Sequence, residues 1–109
     1  IPCTVSLQFL VRDNYLNVIA TMRSSDAWLG WPYDIHNFSC IGAYIALHLG
    51  CDIGWLYLTA GSQHLYQNKI ADAKRIVEST KKTFETPTLE WKGLKPHEFI
   101  KTLWSQARD

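Results

Sequence analysis

Near its start the chain twice alternates apolar with polar residues. Val5, Leu7, Phe9 and Val11 share one side of an extended run whose other side carries Thr4, Ser6 and Gln8. Leu16, Val18, Ala20 and Met22 repeat that spacing in the run beginning at Tyr15. A period of two marks strands covered on one face. Between the runs, Asp13-Asn14 suits a two-residue hairpin turn, since both residues tolerate positive φ. Pairing outward from that turn sets Thr4 opposite Arg23 and Cys3 opposite Ser24. Strand pairing alone therefore brings a thiol beside a guanidinium.

The period then changes. Gly30-Trp31-Pro32 interrupts the strand pattern, and Asp34 is placed to cap the helix that follows. Ile35, Phe38, Ile41, Tyr44, Ile45 and His48 recur at helical spacing, apolar nearly all round, which predicts a buried central helix ending at Gly50. Asp52 to Ala60 reads as a buried strand between Gly50 and Gly61. Ser62-Gln63-His64 leads into a second helix from about Leu65 to Lys81, with Tyr66, Ile70, Ala73, Ile76 and Val77 as its apolar stripe. Glu85 to Trp91 reads as an edge strand, because Pro87 cannot donate to a central ladder. Pro96 opens a last helix with Phe99, Ile100, Leu103 and Trp104 on one face.

A length of 109 residues gives one domain, 1–109, with a modest core. Hydrophobic residues at 47% and charged residues at 19% exclude a disordered tail. A formal charge of +1 gives no basis for a nucleic-acid or membrane partner. The run from Ile41 to Leu49 is too short to span a bilayer and contains His48. Cys3, Cys40 and Cys51 lack metal-ligand spacing, so reduced thiols in the cytoplasm and no metal site are expected.

Met22 to Phe38 sets an arginine, two serines, a glycine and two aspartates among aromatic residues. The thiolate is the reactive form of cysteine, and a neighbouring cation favours it. Arg23 and Ser24 could together hold a phosphate, through a planar fork of donors and a hydroxyl. Each residue also has a plain structural reading. Cys3 can be a small buried side chain, Arg23 half of a surface ion pair, Asp34 a helix cap and His64 a satisfied loop histidine.

Arg23-Ser24-x-Asp26-x-x-Leu29-Gly30, followed by Pro32-Tyr33-x-Ile35, resembles the nucleotide-binding segment of the thymidylate synthase family. Pro2-Cys3 upstream and His64-x-Tyr66-x-Asn68 downstream agree with it, at spacings that need no gap. The resemblance implies an α+β fold: a twisted mixed sheet with a buried central helix. It also implies that these residues form the C-terminal catalytic part of a longer polypeptide, which dimerises sheet to sheet. By resemblance Cys3 adds to C6 of a pyrimidine nucleotide, and 5,10-methylenetetrahydrofolate supplies the one-carbon unit taken up at C5. Arg23 and Ser24 would hold the phosphate, Gln8 and Asp34 the base, and His64 and Tyr66 the sugar 3′-hydroxyl. Asp26 would be catalytic, near base and folate, with Gly30 allowing close approach. The chain ends Gln106-Ala107-Arg108-Asp109, where the family has a short apolar tail over the folate.

Asp34 departs from the family pattern, which has asparagine there. Uracil presents O4 as an acceptor and N3–H as a donor, the complement of an amide. Cytosine presents the reverse, and a carboxylate accepts from its N4 amino group. Against uracil the same carboxylate would face O4 acceptor to acceptor. The sequence therefore resembles the cytidylate hydroxymethylase branch, acting on dCMP or CMP, which adds water to the C5 methylene. Two alternatives stand beside it. One is a thymidylate synthase or dUMP hydroxymethylase in which Asp34 merely caps a helix. The other is an inactive homologue serving as a binding module, against which the joint presence of Cys3, Arg23, Ser24, Asp26, His64 and Tyr66 argues.

Overall fold

Asp13 and Asn14 close the first hairpin with φ of 50° and 66°, the left-handed values that a two-residue turn demands. The computed structural model describes residues 2–79 and 93–106. The hairpin strands are β1 (Thr4–Arg12) and β2 (Tyr15–Met22). They pair antiparallel in the expected register from Arg12 opposite Tyr15 to Ser6 opposite Thr21. Beyond Ser6 the register slips, and Thr4 faces Met22 rather than Arg23. One extra residue in β1, at exposed Val5, makes a bulge of the kind that re-aims side chains at a strand end. Cys3 therefore sits beside Arg23, not Ser24, and its carbonyl accepts from the Arg23 N–H at 2.9 Å.

The helix α1 (Gly30–Leu49) follows the two-residue strand β3 (Ser25–Asp26). It starts four residues before Asp34, so Asp34 is not its cap. Pro32 is tolerated in a first turn, where its missing N–H would have no partner anyway. The capping acceptor is Asp26. Its Oδ1 accepts from Trp28 N–H at 3.1 Å, and its Oδ2 from Leu29 and Gly30 N–H at 3.0 and 3.4 Å. At the other end Gly50 adopts the left-handed conformation that stops the helix where expected.

The strand β4 (Asp52–Ala60) pairs parallel to β2, so the three-stranded sheet runs β1-β2-β4 and is mixed. The short strand β5 (Gln63–His64) pairs parallel to β3. The fold is α+β, as anticipated. Leu16, Val18, Ala20 and Met22 of β2 are all buried, and so are Phe38, Ala43 and Ala46 of α1. Leu7 and Phe9 of β1 and Leu56, Leu58 and Ala60 of β4 pack against this core. Gly42 permits the close approach of helix to sheet, since a Cβ there would lie 2.9 Å from Val18 Cγ2.

Neither α1 nor β4 is covered all round among the described residues. Ile35, Ile41 and Leu49 on α1 are exposed. On β4, Trp55 is 72% and Tyr57 55% exposed, so the strand is half-buried on one face and exposed on the other. The second helix is also shorter than expected. A 3₁₀ turn (Gln67–Lys69) precedes α2 (Ile70–Glu78), because Tyr66 is extended rather than helical. Ser79 is extended and ends α2. Ile70, Ile76 and Val77 leave the apolar stripe exposed. The last helix, α3 (Pro96–Gln106), is anchored by buried Phe99 and contacts α1. The anticipated strand from Glu85 to Trp91 lies outside the described residues. No helix among those described is long and apolar enough to cross a membrane.

Candidate active site

The bulge places the start of β1 against the end of β2. Arg23 Nη2 lies 3.8 Å from Cys3 Sγ, and Arg23 Nε donates to the Pro2 carbonyl at 3.1 Å. A cation thus stands at contact distance from the sulfur. Of the three thiols, Cys3 is exposed, Cys51 is buried and Cys40 is half-buried. Burial pushes the Cys40 thiol up, away from the reactive anion, and its nearest partner is His36 Nε2 at 3.6 Å.

After β2 the chain runs beside the segment that follows β4. Gly61 N–H donates to the Met22 carbonyl, Ser62 N–H to Arg23, Ser25 N–H to Ser62 and Ala27 N–H to His64, at 2.8–3.1 Å. This ladder brings Ser24 Oγ to 3.4 Å from His64 Nδ1. The His64 and Tyr66 rings meet edge to face, with centroids 5.0 Å apart. The candidate phosphate residues and the candidate sugar residues therefore adjoin. Gln8 stands apart. It faces Ile19, on the side of the sheet away from the core-packed Leu7 and Phe9.

Asp26 carries the clearest electrostatic signature of the site. Its carboxyl is held below the ordinary carboxylate range, first by the Leu29 N–H and next by the Trp28 N–H. Burial opposes the shift, while the Gly30 N–H and nearby His64 add to it. Asp26 is thus an anion at neutral pH, fitted to accept hydrogen bonds. A depressed folded-state value stabilises the fold fully above the ordinary carboxylate range, and the contribution is lost as pH falls through the lower folded value. Asp26→Asn should therefore melt below the parent at neutral pH, and the gap should close in the range below about pH 4. Thermal melts across that range are the check. A gap of equal size throughout would remove the anionic cap.

Over Gly30 three side chains meet. A Cβ built there would lie 3.4 Å from Asp26 Cβ, 3.7 Å from Ser25 Oγ and 3.8 Å from Asp34 Oδ2. Beside them opens a cleft of about 610 Å³ between Asp26, Trp28 and Leu29 on one side and Tyr66, Asn68 and Lys69 on the other. Lys69 Nζ stands 5.4 Å from the Trp28 ring centroid, within cation–π range. Trp28 and Lys69 escaped the sequence reading, although Trp28 sits inside the motif. Ser25 was one of its two serines and had no role assigned. A second cavity, of about 360 Å³ near Asn14, Cys51 and Leu94, touches none of the predicted site residues. Among the described residues no group of three His, Cys, Asp or Glu side chains could hold a metal ion.

A family model described as thymidylate synthase matches residues 1–106. The thymidylate synthase of Francisella philomiragia is 33% identical over 89 residues, 82% of this chain and 32% of that protein. Thymidylate synthases of Francisella tularensis subsp. holarctica match to the same extent. The chain spans about a third of the length of these relatives. Among solved structures, thermostable thymidylate synthase A from Bacillus subtilis superposes with a TM-score of 0.73 at 28% identity, over 80% of this chain and 31% of that one. Thymidylate synthase from T4 phage gives 0.69 at 26% identity, over 95% of this chain and 38% of that one.

Proposed function

This chain belongs to the thymidylate synthase family, and on that premise we propose that it carries the nucleotide site of a folate-dependent pyrimidine C5 hydroxymethyltransferase selective for dCMP or CMP. The observation that carries the choice of base is Asp34. Its carboxylate lies at the Gly30 cluster and is released from the capping role by Asp26. An acceptor-only group there pairs with the amino group of cytosine and meets O4 of uracil acceptor to acceptor.

Each remaining residue has a task. Cys3, with Arg23 against its sulfur, is the nucleophile that adds to C6 of the pyrimidine, leaving C5 electron-rich. Arg23 and Ser24 take the phosphate, and His64 and Tyr66 take the sugar hydroxyl. Gln8 is the remaining candidate for the base. Asp26 and Gly30 face the folate side. The cleft beside them joins an aromatic and aliphatic wall, Trp28, Leu29 and Tyr66, to the Asp26 anion. That combination suits a flat heterocycle bearing N–H donors, so these residues fit 5,10-methylenetetrahydrofolate. When bound, this donor supplies one carbon at the oxidation level of formaldehyde. That carbon, once on C5 and hydrated, would become the hydroxymethyl group of the product, the C5 proton being lost before water adds. Expulsion of the Cys3 sulfur from C6 would then restore the C5–C6 double bond and return the thiolate to its place beside Arg23.

A second reading is methylation or hydroxymethylation of dUMP, and it is favoured by the relatives named above, which are thymidylate synthases. An inactive homologue is the third, and the adjacency of Cys3 to Arg23 and of Ser24 to His64 speaks against it. The deciding measurement is tritium release from C5-labelled dCMP and dUMP, with the hydroxymethyl product identified. A kcat/KM in favour of dUMP would transfer the assignment to the second reading.

The same proposal includes a homodimer joined through the sheet face opposite α1. Exposed Trp55 and Tyr57, with half-buried Leu10 and Ile19, give that face an apolar patch suited to a second sheet. Sedimentation of the full protein should show a dimer at micromolar concentration. A stable monomer would remove this part of the proposal.

A further inference from the structure

Ser25 is buried, at 4% exposure, and its hydroxyl is a buried side-chain polar atom without a hydrogen-bond partner among the described residues. Leaving such a group unpaired is costly, and most buried hydroxyls are satisfied, so one that is not calls for a reason. Ser25 is also held firmly in place. Its N–H donates to the Ser62 carbonyl at 2.9 Å, and it pairs with Gln63 in the β3–β5 ladder. A hydroxyl fixed in this way aims at one place rather than sampling several.

That place is the space over Gly30. Ser25 Oγ and Asp34 Oδ2 both come within 4 Å of the point where a side chain at residue 30 would begin. Gly30 has none, so no side chain at residue 30 fills the point that both groups approach. Their chemistries are complementary: the hydroxyl has a proton to give, and a carboxylate only accepts. The other nearby carboxylate, Asp26, is already engaged at the helix start, where it accepts from the Trp28, Leu29 and Gly30 N–H groups.

We infer that Ser25 is a positioning residue for base selection, its hydroxyl donating to the Asp34 carboxylate across Gly30 through one bridging water. One carboxylate oxygen anchored from behind fixes the plane of the group. The other oxygen is then presented to the amino group of the pyrimidine. This inference rests on the reading of Asp34 as the base contact, and the test separates the two.

The test is a double-mutant cycle in the full protein, reading kcat/KM for dCMP and dUMP by tritium release, with the dissociation constants of the two nucleotides as a parallel readout. Ser25→Ala should lower the dCMP value roughly tenfold and leave the dUMP value nearly unchanged. Its melting temperature should change little, since the substitution is small and removes one hydrogen bond of modest net worth. In the Asp34→Asn background the same change should have no further effect, because the partner is already altered. If Asp34→Asn shifts the substrate ratio and Ser25→Ala does not, the inference about Ser25 is overturned and the role of Asp34 stands. An equal Ser25→Ala effect in both backgrounds also overturns it, since the serine would then act on something else. If neither change moves the ratio, both readings fall.

Discussion

Cys3→Ser is expected to reduce tritium release from C5 of the nucleotide by roughly three orders of magnitude or more, with nucleotide binding almost untouched. The asymmetry follows from what the substitution removes. Serine keeps the size and position of the side chain, so the phosphate contacts proposed for Arg23 and Ser24 would survive. Addition to C6 needs an anion, and at neutral pH an alkyl hydroxyl supplies far less of it than a thiol does. Cys3 is exposed, so no core contact is lost and the melting temperature should hold. Equilibrium binding of the nucleotide beside the tritium assay separates the outcomes. Parallel loss of binding and turnover, with a lower melting temperature, would make Cys3 a structural residue.

Asp34→Asn is expected to move the ratio of kcat/KM for dCMP over dUMP by about two orders of magnitude towards dUMP. One mismatched polar contact in a dry pocket is worth roughly 2–4 kcal/mol, which sets that scale. The amide nitrogen would give O4 of uracil a donor, and the amide oxygen would accept from N3–H. Cytosine would face donor against donor at its amino group. The start of α1 at Gly30 sharpens this experiment. Asp34 lies beyond the first turn, and at the helix start the Leu29 and Gly30 N–H groups donate to Asp26 instead, so the change should leave stability within about 0.5 kcal/mol. A well-folded variant with an unchanged ratio would establish that the carboxylate does not read the base, and the uridylate assignment would replace it.

The features that sequence alone predicted well are those set by neighbouring residues. Asp13-Asn14 fixes its turn through dihedrals that few residue types accept, Gly50 ends α1 for the same reason, and β4 keeps its expected limits. The failures are cooperative or non-local. A bulge at Val5 adds one residue without any mark in composition, yet it decides whether Cys3 faces Ser24 or Arg23. The cap of α1 was assigned to the aspartate next to the helical spacing, whereas the acting one, Asp26, precedes the helix and is tied down by β5. Burial of β4 was overestimated because Trp55 and Tyr57 fill the outward positions with apolar residues and hide the alternation. The approach of Ser24 to His64 depends on segments 40 residues apart. Only the likeness of both motifs to one family suggested it.

Parallel pairing of β2 with β4 also fixes an order of events in time. Antiparallel β1 and β2 need only their two-residue turn, and hairpins of that kind close within microseconds. Strand β4 can reach β2 only after α1 has crossed from one end of the sheet to the other, so the loop-closure entropy of some 30 residues must be met first. The Cys3–Arg23 half of the site is thus set in the earliest structure to form, and the His64–Tyr66 half arrives with the slowest contacts. During refolding, the approach of Ser24 to His64 reports the last step of folding rather than the first.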